Sequence, residues 1–134
     1  MYSCGVSLSQ FNTSIYSQKE YMSTNLFTKI INREIPADIV YEDEQCLAFK
    51  DINPQAPIHI LMIPKSPIAK LSEATAEDRT LLGHLMLKAC DVARDEGYGD
   101  HFRLVVNNGS EAGQAVFHLH IHILAGRSFN WPPG

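Results

Sequence analysis

The sequence of 134 residues lacks the features that mark several large classes of protein. No apolar run approaches the ~18 residues that a membrane-spanning helix needs, and no basic stretch followed by an apolar block marks a secretory signal. The three cysteines, Cys4, Cys46 and Cys90, form no CxxC pair and are too few for a disulfide framework. We therefore expect no membrane partner, and we expect a reducing location in the cytoplasm, with the nucleus as a second one.

The chain is also short of positive charge. Lys and Arg number 11 against 15 Asp and Glu, which gives a formal net charge of -4. A protein that neutralises phosphates over a broad face needs the opposite balance, so we expect no nucleic-acid partner. Hydrophobic residues, by contrast, make up 45% of the chain, enough for the core of one globular domain.

Residues 1–24 differ in composition from the rest of the chain. Eight of them are Ser or Thr, and their apolar residues follow no regular period. A transit peptide is the alternative interpretation, but this stretch contains no Arg, and Lys19 is its only basic residue. We predict a flexible extension over residues 1–24 and one compact domain over residues 25–134.

Hydrophobic periodicity predicts two helices and five strands in this domain. Apolar residues at helical spacing between Leu26 and Ile31 predict a short helix that ends before Pro36. A longer helix is expected between a capping pattern that starts at Thr75 and Gly97. Strands are expected at residues 39–41, 46–49, 58–63, 102–106 and 115–124. Because short turns join most strands, we predict an α+β fold with a five-stranded, mainly antiparallel sheet.

The most informative segment is the run from Phe117 to Ile123, which has the sequence FHLHIHI. In a strand, alternate side chains point to opposite faces, so Ala115 and the apolar residues of this run would be buried against the core. Three of the six histidines, His118, His120 and His122, would then share the other face. A single core histidine needs no function, but three in register predict a functional site.

A metal site is the first interpretation of these histidines, because imidazole is the commonest metal ligand. The outer two Cα atoms would lie roughly 13 Å apart, since a strand rises about 3.3 Å per residue. A tetrahedral zinc ion, with Zn–N bonds of about 2.0–2.1 Å, therefore suits two of the three, and His59 is the one further candidate. This geometry disfavours a metal, and we expect neither a metal nor another cofactor.

Nucleophilic catalysis on phosphorus is the second interpretation. A histidine with a pKa near ~6.5 is largely neutral at pH 7, so one ring nitrogen is a nucleophile without a separate base. The loop at residues 107–114, NNGSEAGQ, is polar and contains two glycines, and its backbone N–H groups could bind an anion. The loop and the histidines together favour chemistry at a phosphate group.

The run from His118 to Leu124 resembles the histidine triad motif, His-x-His-x-His followed by apolar residues. This motif is typical of the histidine triad (HIT) superfamily of nucleotide hydrolases and transferases. Other segments between residues 25 and 134 resemble its branch of histidine triad nucleotide-binding (HINT) proteins. They are FTKII at 27–31, IPA at 35–37, AFKDI at 48–52, PQAP at 54–57, IPK at 63–65, LGHLM at 82–86 and WPPG at 131–134.

The resemblance implies a purine nucleoside phosphoramidase that works through a nucleotidyl-histidine intermediate. His120 would attack the α-phosphorus of a nucleoside phosphoramidate and expel the amine, after which water would release the nucleoside monophosphate. His122 would hydrogen-bond the phosphate, while His118 and His59 would complete the histidine network. The transferase branch often has glutamine at the last triad position, so His122 favours hydrolysis over transfer.

The resemblance also implies which residues bind a purine nucleotide such as AMP, GMP or their phosphoramidates. Asp51 would hold the ribose hydroxyls, although a solvated carboxylate at a strand end is an equally good interpretation of this residue by itself. Asn107, Gly113 and Gln114 would lie near the phosphate and the leaving group. The purine would lie between apolar side chains that are individually also typical of a core: Phe27, Ile30, Phe49 and Ile52.

Two positions depart from the family pattern. Family members commonly have Ser or Thr after the loop glutamine, where this chain has Ala115, so a hydroxyl near the phosphate is absent. Some relatives carry a cysteine pair for structural zinc around the first helix, where this chain has NLFT at residues 25–28. The first departure keeps open a nucleotide-binding or scaffolding module that has lost catalysis. A dinucleoside polyphosphate hydrolase is the other alternative.

Related proteins form twofold dimers in which two five-stranded sheets combine and the C-terminal tail reaches toward the partner's site. The resemblance therefore implies a homodimer, with Trp131 near the nucleotide. Leu82, Leu85 and Met86 would widen the apolar face of the long helix, although a helix–sheet contact within one chain explains them too. A large aromatic side chain such as Trp131 in a polar tail usually docks against another surface.

Overall fold

The computed structural model describes residues 25–134, and the predicted extension over residues 1–24 lies outside the described residues. The described chain contains two α-helices, α1 (Leu26–Ile31) and α2 (Arg79–Asp95), and five strands. The strands are β1 (Ile39–Glu42), β2 (Cys46–Lys50), β3 (Ile58–Pro64), β4 (Arg103–Val105) and β5 (Ile121–Ala125). Short 3₁₀ turns lie at Leu71–Glu73, Ala76–Asp78 and Ser110–Ala112.

The five strands form one sheet in the order β1-β2-β3-β5-β4, and every neighbouring pair is antiparallel. β3 and β5 are therefore neighbours, although α2 and β4 separate them in sequence. This architecture confirms the predicted α+β fold with a short helix and a long helix. The bounds of β1 to β4 agree with the predicted bounds to within one residue.

Both faces of the sheet are buried, which explains why β2 and β3 are continuous apolar runs instead of alternating ones. The larger cluster lies between the sheet and α2, and it contains Cys46, Ala48, Ile60, Met62, Leu85, Ala89, Val92, Ala93, Leu119, Ile121 and Ile123. The smaller cluster lies on the α1 side and contains Phe27, Ile30, Leu47, Phe49, Leu61 and Ile63. Successive residues of β2 and β3 thus alternate between the two clusters.

The predicted fifth strand, residues 115–124, is wrong at its beginning. Regular pairing of β5 starts at Ile121, opposite Met62 of β3. Before that point the chain bonds to the segment that follows β3, since the backbone N–H of Leu119 donates to the carbonyl of Ile68 at 2.6 Å. Residues 115–120 therefore do not pair with β3.

The predicted apolar face of this run is correct only in its second half. Leu119, Ile121 and Ile123 belong to the larger core cluster, whereas Phe117 is only partly buried and Ala115 is exposed. Because Ala115 precedes the ladder, strand alternation does not determine where its side chain points. Ala115 instead lines the candidate site described below.

The capping pattern at Thr75 is confirmed, although it caps a different element. The backbone N–H of Thr75 donates to the carboxylate of Asp78, and the Thr75 hydroxyl accepts from the backbone N–H of Glu77, so both halves of a capping box are present. The box closes the 3₁₀ turn Ala76–Asp78, and α2 follows from Arg79. Within residues 25–134, the helices are too short or too polar to cross a membrane.

Candidate active site

Two neighbouring strands bring two histidines into contact. His59 on β3 and His122 on β5 face the α1 side of the sheet, like Leu61 between them. Nε2 of His59 lies 2.9 Å from Nδ1 of His122. The contact runs diagonally across the strand pair, because His59 is directly opposite Leu124 and His122 is opposite Leu61.

A backbone amide determines the proton positions of this pair. The N–H of Gln55 donates to Nδ1 of His59 at 3.0 Å, so this nitrogen holds a lone pair and neutral His59 is protonated at Nε2. The Nε2–H of His59 then donates to Nδ1 of His122. Neutral His122 consequently carries its own proton on Nε2, where it is a hydrogen-bond donor.

His120 has the opposite arrangement. Its Nδ1 lies 2.8 Å from the backbone oxygen of His118, and a carbonyl only accepts, so Nδ1 carries the proton. Nε2 of neutral His120 is therefore unprotonated and nucleophilic. His118 itself is held by donation from its Nε2 to the carbonyl of Pro64 at 2.8 Å, and its Nδ1 faces the side-chain amide of Asn25 at 3.4 Å.

Burial lowers the pKa of all four histidines, because a charged ring loses its hydration inside the protein. For His122, burial together with the neighbouring His120 and His59 lowers the pKa to about 4. The carboxylate of Asp51 raises the pKa of His59, His120 and His122, but burial outweighs it. The rings are therefore neutral at pH 7, which keeps the lone pair of His120 available.

A cavity of about 330 Å³ lies beside His120 and His122. Its volume is within the range of about 300–1,000 Å³ that is usual for small-molecule sites. Most residues predicted for the site line it, namely Phe27, Ile30, Phe49, Asp51, Ile52, Asn107, Gly113, His120 and His122.

One side of this cavity is apolar. The ring of Phe27 is nearly perpendicular to that of His120, with centroids 5.1 Å apart, and it contacts the ring of Phe49 at 5.5 Å. Ile30 completes the buried part of this side, and Ile52 is 98% exposed. The arrangement suits a flat, apolar ligand group that enters from solvent.

The polar side contains Asp51, Asn107 and Gly113. Oδ1 of Asp51 accepts from the backbone N–H of Asn53 at 2.8 Å, and Oδ2 lies 3.5 Å from Nε2 of His59. Gly113 has a φ of +101°, and a Cβ atom there would lie 3.5 Å from Nδ2 of Asn107. The loop therefore needs glycine at this turn, beside the amide of Asn107.

Four predicted site residues lie outside the cavity wall. His59 bonds the ring of His122, and the backbone carbonyl of His118 bonds the ring of His120, but neither residue lines the cavity. Trp131 is 83% exposed in the single chain. The side chain of Gln114 is buried, where its Oε1 accepts from Gly109 and its Nε2 donates to the carbonyls of Ala69 and Val116. Gln114 therefore holds the loop in shape and does not line the cavity.

The expectation that loop amides bind an anion does not hold for four of them. The N–H of Gly109 donates to Gln114, and the N–H groups of Ala112, Gly113 and Gln114 donate to carbonyls at Gly109 and Ser110. Glycine-rich sequence indicated a turn, but it did not reveal that the turn satisfies its own donors. The Nε2–H of His122, the side-chain amide of Asn107 and the ammonium group of Lys50 belong to residues of the cavity wall and are donors in their place.

Some residues of the cavity wall were not predicted from the sequence. The chain between α1 and β1 contributes Ile35, Pro36 and Ala37, and the end of β2 contributes Lys50. The resemblance to the family included the segment IPA at 35–37 but gave it no role in the site, although a proline after a short helix indicates a turn of the chain. Ala115 also lines the cavity, at the position where the family commonly has a hydroxyl.

Within residues 25–134, two groups of side chains have the spacing of metal ligands, with donor atoms within 4.8 Å of one another: Asp51, His59 and His122, and Asp43, Cys46 and His84. In the first group, the hydrogen bond between His59 and His122 accounts for the short distance between their ring nitrogens. In the second, Nε2 of His84 bonds Oδ2 of Asp43 at 2.6 Å and joins α2 to the β1–β2 turn. We assign neither group to a metal, because hydrogen bonds explain both.

The stretch where the family resemblance implies a cysteine pair in some relatives is NLFT at residues 25–28, whose polar side chains are those of Asn25 and Thr28. Oδ1 of Asn25 accepts from the backbone N–H of Thr28 at 2.8 Å and caps α1. Structural zinc sites use thiolate and imidazole ligands, which an amide and a hydroxyl do not replace. These two residues therefore do not fit a structural zinc site.

Comparison with known proteins identifies the family of this chain. The family model of the HIT domain matches residues 32–129. An uncharacterized HIT-like protein of Synechocystis sp. is 70% identical over 109 residues, which are 81% of this chain and 96% of that protein. A 14 kDa zinc-binding protein of Zea mays is 52% identical over 114 residues, which are 84% of this chain and 89% of that protein.

Among solved structures, a HIT family hydrolase from Legionella pneumophila is similar with a TM-score of 0.80 and 47% sequence identity. The match covers 81% of this chain and 98% of that one. The region matched by the family model contains all four histidines of the network and the loop before them. This chain belongs to the HIT domain family.

Proposed function

We propose that this protein is a purine nucleoside phosphoramidase, which hydrolyses the bond between phosphorus and the amine of a nucleoside 5′-phosphoramidate. The observation that carries the proposal is the bond between Nδ1 of His120 and the carbonyl of His118, which leaves Nε2 unprotonated in a residue of the cavity wall. The name of the similar Legionella structure, a hydrolase, supports hydrolysis as the type of reaction.

In the first step, Nε2 of His120 attacks the α-phosphorus. A bond between Nε2 and phosphorus forms, and the bond between phosphorus and the amine nitrogen breaks. The departing amine takes up one proton from solvent, because proton transfer from neutral His122 would leave an imidazolate. The Nε2–H of His122 stabilises the charge on a phosphoryl oxygen, as positioned donors do in phosphoryl transfer.

In the second step, water attacks the phosphorus of the nucleotidyl-histidine. A phosphorus–oxygen bond forms, the bond to Nε2 of His120 breaks, and the nucleoside monophosphate leaves. The proton that water loses goes to solvent and balances the one that the amine took up, so the site returns to its starting state. The neutral rings at pH 7 support both steps, because an imidazolium at position 120 has no lone pair.

The shape of the cavity supports a nucleoside as the substrate. We infer that the base lies against Phe27 and Phe49, since a flat ring packs well on aromatic edges and faces. Asp51 lines the same cavity and accepts hydrogen bonds, so it can bind ribose hydroxyls. Purine over pyrimidine follows from the family resemblance, and competition between adenosine and uridine phosphoramidates tests it.

Ala115 favours a second candidate function, a nucleotide-binding module without catalysis. It lines the cavity at the position where a hydroxyl is common in the family, so one donor near the phosphate is missing. The intact histidine network favours the enzyme over this alternative. Measurable AMP binding without any turnover would support the binding module.

We also propose that the protein works as a homodimer. On α2, Met86 is 50% exposed, and Leu82, one turn earlier, is only partly buried, so the helix presents an apolar strip beyond its contact with the sheet. Trp131 is 83% exposed in the single chain, which leaves a large aromatic surface for a partner. In the proposed dimer, the tail of one protomer contributes Trp131 to the site of the other.

The test of the proposed activity is AMP release from adenosine 5′-phosphoramidate, measured beside a diadenosine polyphosphate at equal concentration. We expect faster release from the phosphoramidate, and no release by His120→Ala, while that variant still binds AMP. Faster cleavage of the diadenosine polyphosphate would assign the chain to dinucleoside polyphosphate hydrolysis. Chelator treatment and elemental analysis of untagged protein belong with this assay, because the maize relative is named for zinc binding.

A further inference from the structure

The chain that follows β5 packs onto the loop before β3 at two adjacent points. A Cβ atom at Gly126 would lie 2.8 Å from Cβ of Pro57, so the two segments approach as closely as glycine allows. One residue later, Nε of Arg127 donates to the carbonyl of Gln55 at 3.0 Å. The loop before β3 is thus held from outside by the segment after β5.

Arg127 is itself held in place. Its guanidinium lies over the ring of Phe129 at 4.3 Å from the ring centroid, and its Nη1 donates to the carbonyl of Ser128 at 2.9 Å. Arg103 of β4 lies over the same ring at 5.1 Å and donates to the carbonyl of Asn130. Of these two arginines, Arg127 alone bonds to Gln55.

Gln55 connects this contact to the histidine network. Its carbonyl accepts from Arg127, and its N–H donates to Nδ1 of His59. Nε2 of His59 in turn bonds Nδ1 of His122 at 2.9 Å. Four groups therefore form one continuous chain of hydrogen bonds from the protein surface to the cavity wall.

We propose that Arg127 is a positioning residue, which holds the peptide of Gln55 against His59 and so keeps the proton of His122 on its Nε2. This inference deepens the proposed function and rests on it for the role of His122 in the reaction. Without Arg127, the Gln55 loop loses its outer hydrogen bond, and the donation to Nδ1 of His59 weakens. His59 can then hold its proton on Nδ1, in which case Nε2 accepts from His122 and the cavity loses its N–H donor.

The same contact affects the charge of His59. The N–H of Gln55 opposes protonation of Nδ1, because two donors would then face each other. The ionisable groups around His59 are Asp51 at 3.5 Å and His122, with His120 beyond it, and Lys50 and Glu96 line a small cavity that His59 shares. Burial lowers the pKa of His59 and Asp51 raises it, so a weakened Gln55 contact lets the carboxylate raise the pKa further.

The experiment compares Arg127→Ala with Arg103→Ala as the matched control. Both variants remove a guanidinium from the ring of Phe129, but only the first removes the donor to Gln55. Two-bond ¹H–¹⁵N spectra of the histidine rings report which nitrogen of His59 is protonated, and this readout needs no enzymatic activity. The pH dependence of phosphoramidate turnover is measured in parallel.

For Arg127→Ala we expect protonation at Nδ1 of His59 to increase and the acidic limb of the rate profile to move to higher pH. We expect kcat to fall about tenfold, the size of effect of one lost hydrogen bond, with little change in KM. Arg103→Ala should keep the spectrum and the profile of the parent. An unchanged His59 spectrum in Arg127→Ala, or the same change in Arg103→Ala, would overturn the proposal.

The two proposals can fail separately. A parent chain without phosphoramidase activity, whose His59 spectrum still responds to Arg127→Ala, would refute the proposed function and keep the positioning role. An active parent whose His59 spectrum does not respond would refute the positioning role and keep the function. A melting curve of each variant confirms that the folded state is compared.

Discussion

Nε2 of His59 donates to Nδ1 of His122 at 2.9 Å, across two strands that are far apart in sequence. This bond makes Nε2 of His122 a hydrogen-bond donor, while the carbonyl of His118 leaves Nε2 of neighbouring His120 unprotonated. Two chemically identical side chains on one face thus acquire opposite roles. The difference comes from their hydrogen-bond partners.

The first prediction concerns the stability of the fold in mild acid. His122 has a pKa of about 4 in the folded chain and about 6.5 when unfolded. Between pH 6.5 and pH 4, His122 is protonated in the unfolded chain and neutral in the folded chain. The free energy of unfolding is therefore at its full value above pH 6.5 and declines as the pH falls toward 4. We expect His122 to account for a loss of roughly 1–2 kcal/mol at pH 5, measured by urea unfolding.

His122→Asn should reduce this dependence on pH, because the variant lacks the titrating ring. His101→Asn is the matched control, since it changes an exposed histidine outside the site. If parent and His122→Asn lose equal stability between pH 7 and pH 5, the pKa of His122 is not lowered in the folded chain.

The second prediction concerns Ala115. Its side chain is exposed in the cavity wall, so Ala115→Ser adds a hydroxyl there without removing a contact from the core. We expect kcat to rise by about threefold to tenfold, because one additional hydrogen bond to phosphate or leaving group is worth about 1 kcal/mol. Ala115→Val, which adds volume without a hydroxyl, should not accelerate the reaction in the same steady-state assay.

The third prediction concerns the β1–β2 turn. Asp43 accepts from the Tyr41 hydroxyl, from Nε2 of His84 and from two backbone N–H groups, at 2.6–2.9 Å. Burial opposes ionisation of Asp43, but these donors outweigh it and hold the pKa of the carboxyl well below its usual range. Asp43→Ala should lower the free energy of unfolding by about 2–3 kcal/mol, because it leaves several donors without an acceptor.

The control for this variant is Asp38→Ala. Asp38 lies at the surface, where its carboxylate forms an ion pair with Lys50 at 3.6 Å, so replacing it should change stability by less than about 0.5 kcal/mol. Equal denaturation midpoints for the two variants would show that the Asp43 contacts do not support the turn.

The fourth prediction concerns the proposed dimer. Met86→Glu places a charge on the exposed apolar strip of α2, and burying that charge against a partner is unfavourable. We expect light scattering to give a dimer for the parent and a monomer for Met86→Glu. Thr80→Glu, an exposed change on the same helix, should remain dimeric; a monomeric parent would contradict the proposal.

The sequence predicted the fold well where the hydrophobic pattern has a single interpretation. β3 and α2 are examples, because seven consecutive strand residues and a helical stripe at Leu85 and Ala89 each fit one element. The beginning of β5 was wrong, since the run before Ile121 alternates like a strand but bonds to Ile68. Alternation reveals which face a side chain prefers, and it does not reveal whether a neighbouring strand is present.

The sequence predicted most residues of the candidate site, but it did not predict the hydrogen bonds that those residues form. The spacing of His118, His120 and His122 identified the site, but the tautomers depend on carbonyl and amide groups, which every residue has. Gln114 illustrates the same limit: its amide group is suited to a phosphate, yet tertiary contacts direct it to the carbonyls of Ala69 and Val116. Such partners are determined by the folded chain and leave no pattern in the sequence.

The most direct test of the account is mass spectrometry of the intact protein during turnover of adenosine 5′-phosphoramidate. The reaction is quenched at alkaline pH, and peptides locate any adduct. We predict an adenylyl group on the ring of His120 in the parent, and neither adduct nor AMP release in His120→Ala. Continued turnover by His120→Ala, or an adduct on another residue, would contradict the assignment of His120 as the nucleophile.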